Sequence, residues 1–313
     1  MTTIEPMSFD GITTVSLKER QSKVSLDLVG KRYQRGAAVA AFLDGLPRIL
    51  GGQDVRDIVD AVVAARKNGR PVILGMGAHV IKVGLSPLII QLMEENVING
   101  VALNGAGAIH DVELSLEGRT SEDVEQELDR GSFGMSADTA TFINHGVVEG
   151  VRSGNGVGAS LGLKLLREKV PHLSYSILGR AAQLEVPVMV HVAFGTDIVH
   201  IHPSFDAAAW GTATYQDFRQ FCSLVAMLEG GVFLNVGSAV IIPEVFLKAL
   251  TVVRNKGHQV DHFTTVNMDF IRHYRPLTNV VSRPVRKGGK GYNLVGQHEI
   301  MVPLLCAGIL ERL

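Results

Sequence analysis

Residues 101 to 113 read Val101-Ala102-Leu103-Asn104-Gly105-Ala106-Gly107-Ala108-Ile109-His110-Asp111-Val112-Glu113. A short apolar run ends at Asn104, meets four small residues and then turns acidic, the pattern of a strand, a tight loop and the start of a helix. Small residues let backbone N–H groups approach a ligand closely, and a helix N-terminus favours negative charge there. Asn104, Gly105, Ala106 and Gly107 are therefore candidate cofactor contacts, with Asp111 beside them. His110, flanked by Asp111 and Glu113, is a candidate general acid or base.

The same alternation extends to both sides. Upstream, Val55, Ile58, Val59, Val62 and Val63 follow helical spacing from Gln53 to Asn68, and Gly69 supplies the stop. A buried strand follows at Pro71 to Leu74, then a loop Gly75-Met76-Gly77-Ala78. A second helix is expected from Ser86, as N-cap, through Pro87 to Asn96. Downstream, strands are predicted at 187–193, 232–236 and 260–266, ending in Phe194-Gly195-Thr196-Asp197, Gly237-Ser238 and Asn267-Met268-Asp269. Helices are predicted at 215–228, 243–255 and 299–313. This order demands an α/β, doubly wound, mostly parallel sheet of Rossmann-like type, whose ligands bind beyond the carboxyl ends of the strands.

Residues 1–40 have mixed charge and little periodicity and read as an N-terminal arm. Residues 41–313 read as a single α/β domain. The Gly-rich, polar stretch at about 131–162 reads as a long functional or mobile loop inserted into it.

Length and composition support a folded chain with a sizeable core: 313 residues, 46% hydrophobic, with 34 Gly and 11 Pro. A formal net charge of −1 gives no field to recruit nucleic acid or an anionic membrane. Two widely spaced cysteines, Cys222 and Cys306, suit free thiols in a reducing compartment. With no signal-like start and no apolar run of spanning length, a cytoplasmic protein is expected.

Taken in order, these segments resemble the deoxyhypusine synthase family. Ile73-Leu74-Gly75 through Gly84 parallels the family's strand and Ser-Asn loop. Asn104 to Gly107 with Asp111 parallels its Thr-Thr-Ala-Gly-Gly and acidic residue, and Val186 through Asp197 its segment ending in Thr-Asp-Gly. Gly230-Gly231 through Ser238 parallels its Gly-Gly-Gly strand, and Arg275-Pro276 its Ala-Arg-Pro. The resemblance implies a Rossmann-like fold, NAD as cofactor (NADP being possible) and a homotetramer, and it adds Asp197, Gly237 and Ser238 to the cofactor contacts.

The departures argue against the family's own reaction. Its catalytic histidine falls at the apolar Ile241-Ile242, and its Trp-Gly-Lys is absent, Trp210 being the only tryptophan. Its acidic polyamine site is replaced by a basic stretch. There Arg272, His273, Arg275 and Arg283, with Lys82 from another loop, would hold a small anionic substrate. His79 joins His110 as a proton-handling candidate. Lys287, beside the cationic Arg286, is the candidate for any covalent imine.

The expected activity is that of an NAD(P)-dependent transferase, lyase or oxidoreductase. Two other readings stay open. One is a metal-dependent hydrolase or lyase using His191, Asp197, His200 and His202, since imidazole and carboxylate suit zinc or iron. The other is a non-catalytic ligand-binding relative.

Overall fold

Strand β1 (Val72–Met76) is buried along its whole length, and the sheet grows from it in both directions. In the computed structural model, which describes residues 4–313, β2 (Gly100–Asn104), β3 (Val188–His191), β4 (Val232–Val236), β5 (Thr264–Asp269) and β6 (Lys290–Val295) complete a six-stranded sheet. Its order is β3-β2-β1-β4-β5-β6, and every pairing is parallel. This is the 3-2-1-4-5-6 order of a Rossmann-type sheet, with its topological switch between β1 and β4.

The helices are α1 (Val39–Gly45), α2 (Leu50–Lys67), α3 (His79–Lys82), α4 (Ser86–Glu94), α5 (Gly105–Glu117), α6 (Val124–Arg130), α7 (Ala137–Arg152), α8 (Val157–Glu168), α9 (Ile177–Gln183), α10 (Ala207–Val225), α11 (Ile241–Asn255), α12 (Tyr274–Pro276) and α13 (His298–Leu310). A π-helical turn, Leu277–Ser282, continues α12. Alternate strand residues face opposite layers. Val72, Leu74 and Met76 pack with α2, α4, α5 and α13. Ile73 and Phe233 pack with α10 and α11 around the stacked rings of Phe233 and Phe246, 3.9 Å apart. Both faces are covered, which is why the strands read as continuous apolar runs.

Several features differ from the sequence reading. β1 extends through Gly75-Met76, so the loop begins only at Gly77. β5 starts at Thr264, because Val260 and Phe263 belong to the core outside the strand. β6 was hidden behind the basic run. Residues 137–168 are not a loop but the helices α7 and α8. Their glycines are contact points: a Cβ on Gly150 would collide with Ser160, and one on Gly158 with the Val188 carbonyl. Glycine here permits close helix–helix and helix–strand approach, where sequence pattern alone suggests a flexible turn. Within α4, Leu85 is the N-cap and Ser86-Pro87 lie in the first turn.

The stretch preceding α1 is largely exposed from residue 4 onward. Residues 1–3 of the expected arm lie outside the described residues. No helix among the described residues is long and apolar enough to cross a membrane.

Candidate active site at the sheet switch point

The carboxyl ends of β1 and β4 diverge into α3 and α11, and two glycines line the gap. Gly77 N donates to Val236 O at 3.0 Å, Gly237 N donates to Met268 O at 2.9 Å, and a Cβ on Gly77 would collide with the Gly237 carbonyl. Gly237 has φ +66°, a conformation glycine adopts without strain. The two strand ends therefore meet backbone to backbone at the switch point. Ser238 beside it accepts from Ile242 N at 3.3 Å, at the start of α11.

A histidine absent from the sequence reading underlies this point. His298 opens α13 and is fully buried; its Nε2 lies 3.0 Å from where a Cβ on Gly237 would stand and 3.4 Å from Met268 O. Its Nδ1 has no hydrogen-bond partner. Burial lowers its pKa, with the Asp269 charge opposing. His79, half-buried on α3, meets His298 ring to ring at 5.5 Å, and Phe270 closes the group at 5.6 Å from His79 and 5.8 Å from His298. The signal for His298 was a His at the start of an apolar helix, which is indistinguishable in one sequence from a surface cap.

Beneath the same corner, three register partners form an amide ladder. Asn235 Nδ2 donates to Asn267 Oδ1 at 2.7 Å, and Asn267 Nδ2 donates to Asn293 Oδ1 at 2.8 Å. Asn235 Nδ2 also donates to Ser238 O at 2.9 Å, tying the ladder to the crevice lip.

The Asn104 loop is occupied by the protein itself. Asn104 is the N-cap of α5 and its Oδ1 accepts from Gly107 N at 3.0 Å. Ala106 N donates to the Asp197 carboxylate, and a Cβ on Gly105 would collide with that carboxylate. Burial pushes Asp197 up to about 6, and its Oδ2 stands 3.9 Å from His200 Nε2, both atoms being buried without a hydrogen-bond partner. An anion could reach the α5 N-terminus only by displacing Asp197.

Asp111 points away from the crevice. It is fully buried and accepts from Ser176 Oγ at 2.6 Å, Ile177 N at 2.7 Å and Leu178 N at 3.0 Å. Burial pushes it up to about 6 against those bonds. Asp111 thus caps α9, and its expected contact with a cofactor is corrected.

His110 lies a turn and a half into α5, its Nδ1 donating to Thr120 Oγ1 at 2.6 Å while Thr120 donates to Glu113. Burial works to raise the Glu113 carboxyl, but hydrogen bonds from His110, Thr120 and Thr139 outweigh it and hold it below its ordinary value.

The basic residues are scattered. Lys82 and Arg272 are exposed next to the carboxyl ends of β1 and β5, without an ion pair among the described residues, and His273 is half-exposed. Arg275 pairs with Glu244 at 3.5 Å, and Arg283 donates to Asn279 Oδ1 at 2.8 Å. Lys287 is displaced altogether. It pairs with Asp261 at 3.7 Å, before β5 begins, so it sits at the amino end of the sheet, about 20 Å of strand from the crevice. Lys287, the candidate for a covalent imine, is thus not brought together with Lys82, Arg272 and His79.

His191, Asp197, His200 and His202 do not come together as a cluster: among the described residues no group of three or more His, Cys, Asp or Glu side chains could hold a metal ion. His191 lies edge-on to Phe221 at 5.4 Å and burial lowers it to about 4. His202 Nδ1 is bonded to Ser204 Oγ at 2.8 Å.

With this geometry established, solved structures share the fold. A conserved LOR/SDH candidate from Methanococcus maripaludis S2 matches with a TM-score of 0.53 at 13% identity, over 82% of this chain and 69% of that one. AgrE in a ternary complex with ornithine and NAD+ matches with a TM-score of 0.54 at 13% identity, over 85% of this chain but 34% of its own. This chain therefore spans about a third of AgrE. A protein assigned as a deoxyhypusine synthase from Entamoeba histolytica matches with a TM-score of 0.48 at 9% identity, over 90% and 96% of the two chains. These are likenesses of fold alone: the chain has an α/β fold with a parallel, Rossmann-type sheet, shared with the LOR/SDH candidate and with AgrE. No protein-family model matches the sequence, and no curated protein matches it significantly.

Proposed function

We propose that the chain is an enzyme that binds a nicotinamide dinucleotide at the β1–β4 switch point and acts on a small anionic substrate. The carrying observation is the switch point of a sheet of 3-2-1-4-5-6 order, where Gly77 and Gly237 leave the strand ends free of side chains. Ligands of doubly wound sheets lie at that switch, and AgrE, which shares the fold, was crystallised with NAD+.

In this reading Gly77, Ala78, Gly237 and Ser238 hold the dinucleotide, which when bound supplies hydride chemistry. Asn104 to Gly107 and Asp197 border the crevice and shape it. His79 is the residue placed to exchange a proton with substrate, and His298 orients it from below. Lys82 and Arg272, the unpaired cations at the rim, attract a substrate carboxylate or phosphate. Arg275 and Arg283 are already engaged by Glu244 and Asn279 and contribute less. Asp111 and Lys287 have no part. A homotetramer, with residues 1–40 as an arm on one α/β domain, is the assembly the family resemblance suggests.

Calorimetric titration with NAD and NADP tests this. Saturable binding of either is expected, weakened at least tenfold by Gly77→Ala and by Ala78→Leu. Ala78 is half-exposed, so the second variant fills the crevice without burdening the core. Failure of both dinucleotides to bind folded wild-type protein would overturn the reading.

A further inference from the structure

Helix α6, Val-Glu-Gln-Glu-Leu-Asp-Arg, buries none of its residues. Val124 is 48% and Leu128 63% exposed, one helical turn apart on the same face. Glu125 and Asp129, also a turn apart, form an acidic stripe beside them, and neither makes an ion pair or side-chain hydrogen bond among the described residues. A seven-residue helix is too short to persist in water by its own propensity. A helix with this pattern is built to be covered.

The matching surface is the groove between α10 and α11, about 940 Å³ in volume. Its apolar floor includes Phe218, Cys222, Met227 and Val252, with Met227 58% exposed. Arg219, Lys256 and His258 stand along it, and no carboxylate lines it. None of the three is in an ion pair among the described residues. Groove and helix are complementary in both respects: apolar against apolar, and the cations Arg219 and Lys256 against unpaired carboxylates.

The two surfaces cannot meet within one chain. The groove's lip is Gly154 to Gly156, at the far end of α7. The 16 residues of α7 hold it about 24 Å from α6. We infer that α6 of one copy docks into the α10–α11 groove of a second copy, and that the contact is repeated reciprocally across a two-fold axis.

Charge exchange tests this without relying on a single variant. Arg219→Glu with Lys256→Glu makes groove and α6 both acidic; Glu125→Lys with Asp129→Lys makes both basic. In sedimentation velocity at micromolar concentration, wild-type protein should associate, each double variant alone should associate at least tenfold more weakly, and an equimolar mixture of the two should recover association. Leu128→Cys should also be joined to Cys222 of a second copy by a short bis-maleimide, located by peptide mass spectrometry. A monomeric wild type, variants that associate as wild type does, a mixture that stays dissociated, or no 128–222 cross-link would each overturn the inference.

Discussion

The carboxylate of Asp197 fills the space that a Cβ on Gly105 would occupy, and it accepts the Ala106 N–H at the head of α5. Glycine is needed there to admit a carboxylate from the same chain. Desolvation raises Asp197 from 3.8 to about 6, so the folded state binds its proton more tightly than the unfolded state. The resulting stabilisation is complete below about pH 4 and is lost as pH rises through about 6. A displacement of that size corresponds to about 3 kcal/mol. Calorimetric unfolding between pH 4 and pH 8 should show the wild-type midpoint falling, relative to Asp197→Asn, mainly between pH 4 and 6. Parallel curves would show that Asp197 titrates as it does in the unfolded chain.

Asp217 secures the edge of the sheet. β3 is an outer strand, and Asp217 from α10 accepts from its Val190 N at 2.8 Å and from Gly158 N of α8 at 3.1 Å. One carboxylate thus satisfies a free edge group and a helix terminus. Asp217→Ala leaves both donors buried without a partner and should cost about 2–4 kcal/mol. Asp217→Asn, which keeps an acceptor, should cost less than half of that. Urea denaturation midpoints distinguish the two; equal losses would assign the effect to packing.

What was legible in the sequence was the part governed by local chemistry. Apolar runs followed by glycine mark β1, β2 and β4, and the i, i+3, i+4 spacing of Val55 to Val63 marks α2, because burial on one face leaves a periodic trace. Gly146, Gly150 and Gly158 carry no such trace, since their reason lies in neighbours on other elements. The same limit applies to the candidate ligand contacts. Asn104 and Asp111 look like ligand contacts by position, but Asn104 caps its own helix and Asp111 caps α9, whose Ser176 is remote in sequence. His298, the buried group at the switch point, lies far along the chain from His79.

The amide ladder gives a third expectation. Asn267 donates to Asn293 and accepts from Asn235, whose other bond goes to the Ser238 carbonyl at the crevice. Asn267→Ala strands the Asn293 oxygen in the sheet and frees Asn235 to rotate. A loss of about 2–4 kcal/mol in stability is expected, together with weaker dinucleotide binding at Gly237-Ser238. Loss of stability with unchanged affinity would separate the ladder from the crevice.

Lys287 supplies the opposite control. In sequence it follows Arg272, His273, Arg275 and Arg283 in one basic run, and proximity along the chain groups them in one basic patch. The chain between them runs from α12 through the π-helical turn ending at Ser282 and then through turns to the start of β6. Lys287 consequently pairs with Asp261 at the amino edge, where both side chains are exposed enough to be screened by water. Lys287→Ala should change stability by less than about 0.5 kcal/mol and leave dinucleotide affinity within twofold of wild type. Arg272→Ala, at the carboxyl edge, should leave dinucleotide binding intact while raising KM for an anionic substrate about tenfold. A large loss of turnover in Lys287→Ala, with Arg272→Ala unaffected, would move the reaction to the other end of the sheet.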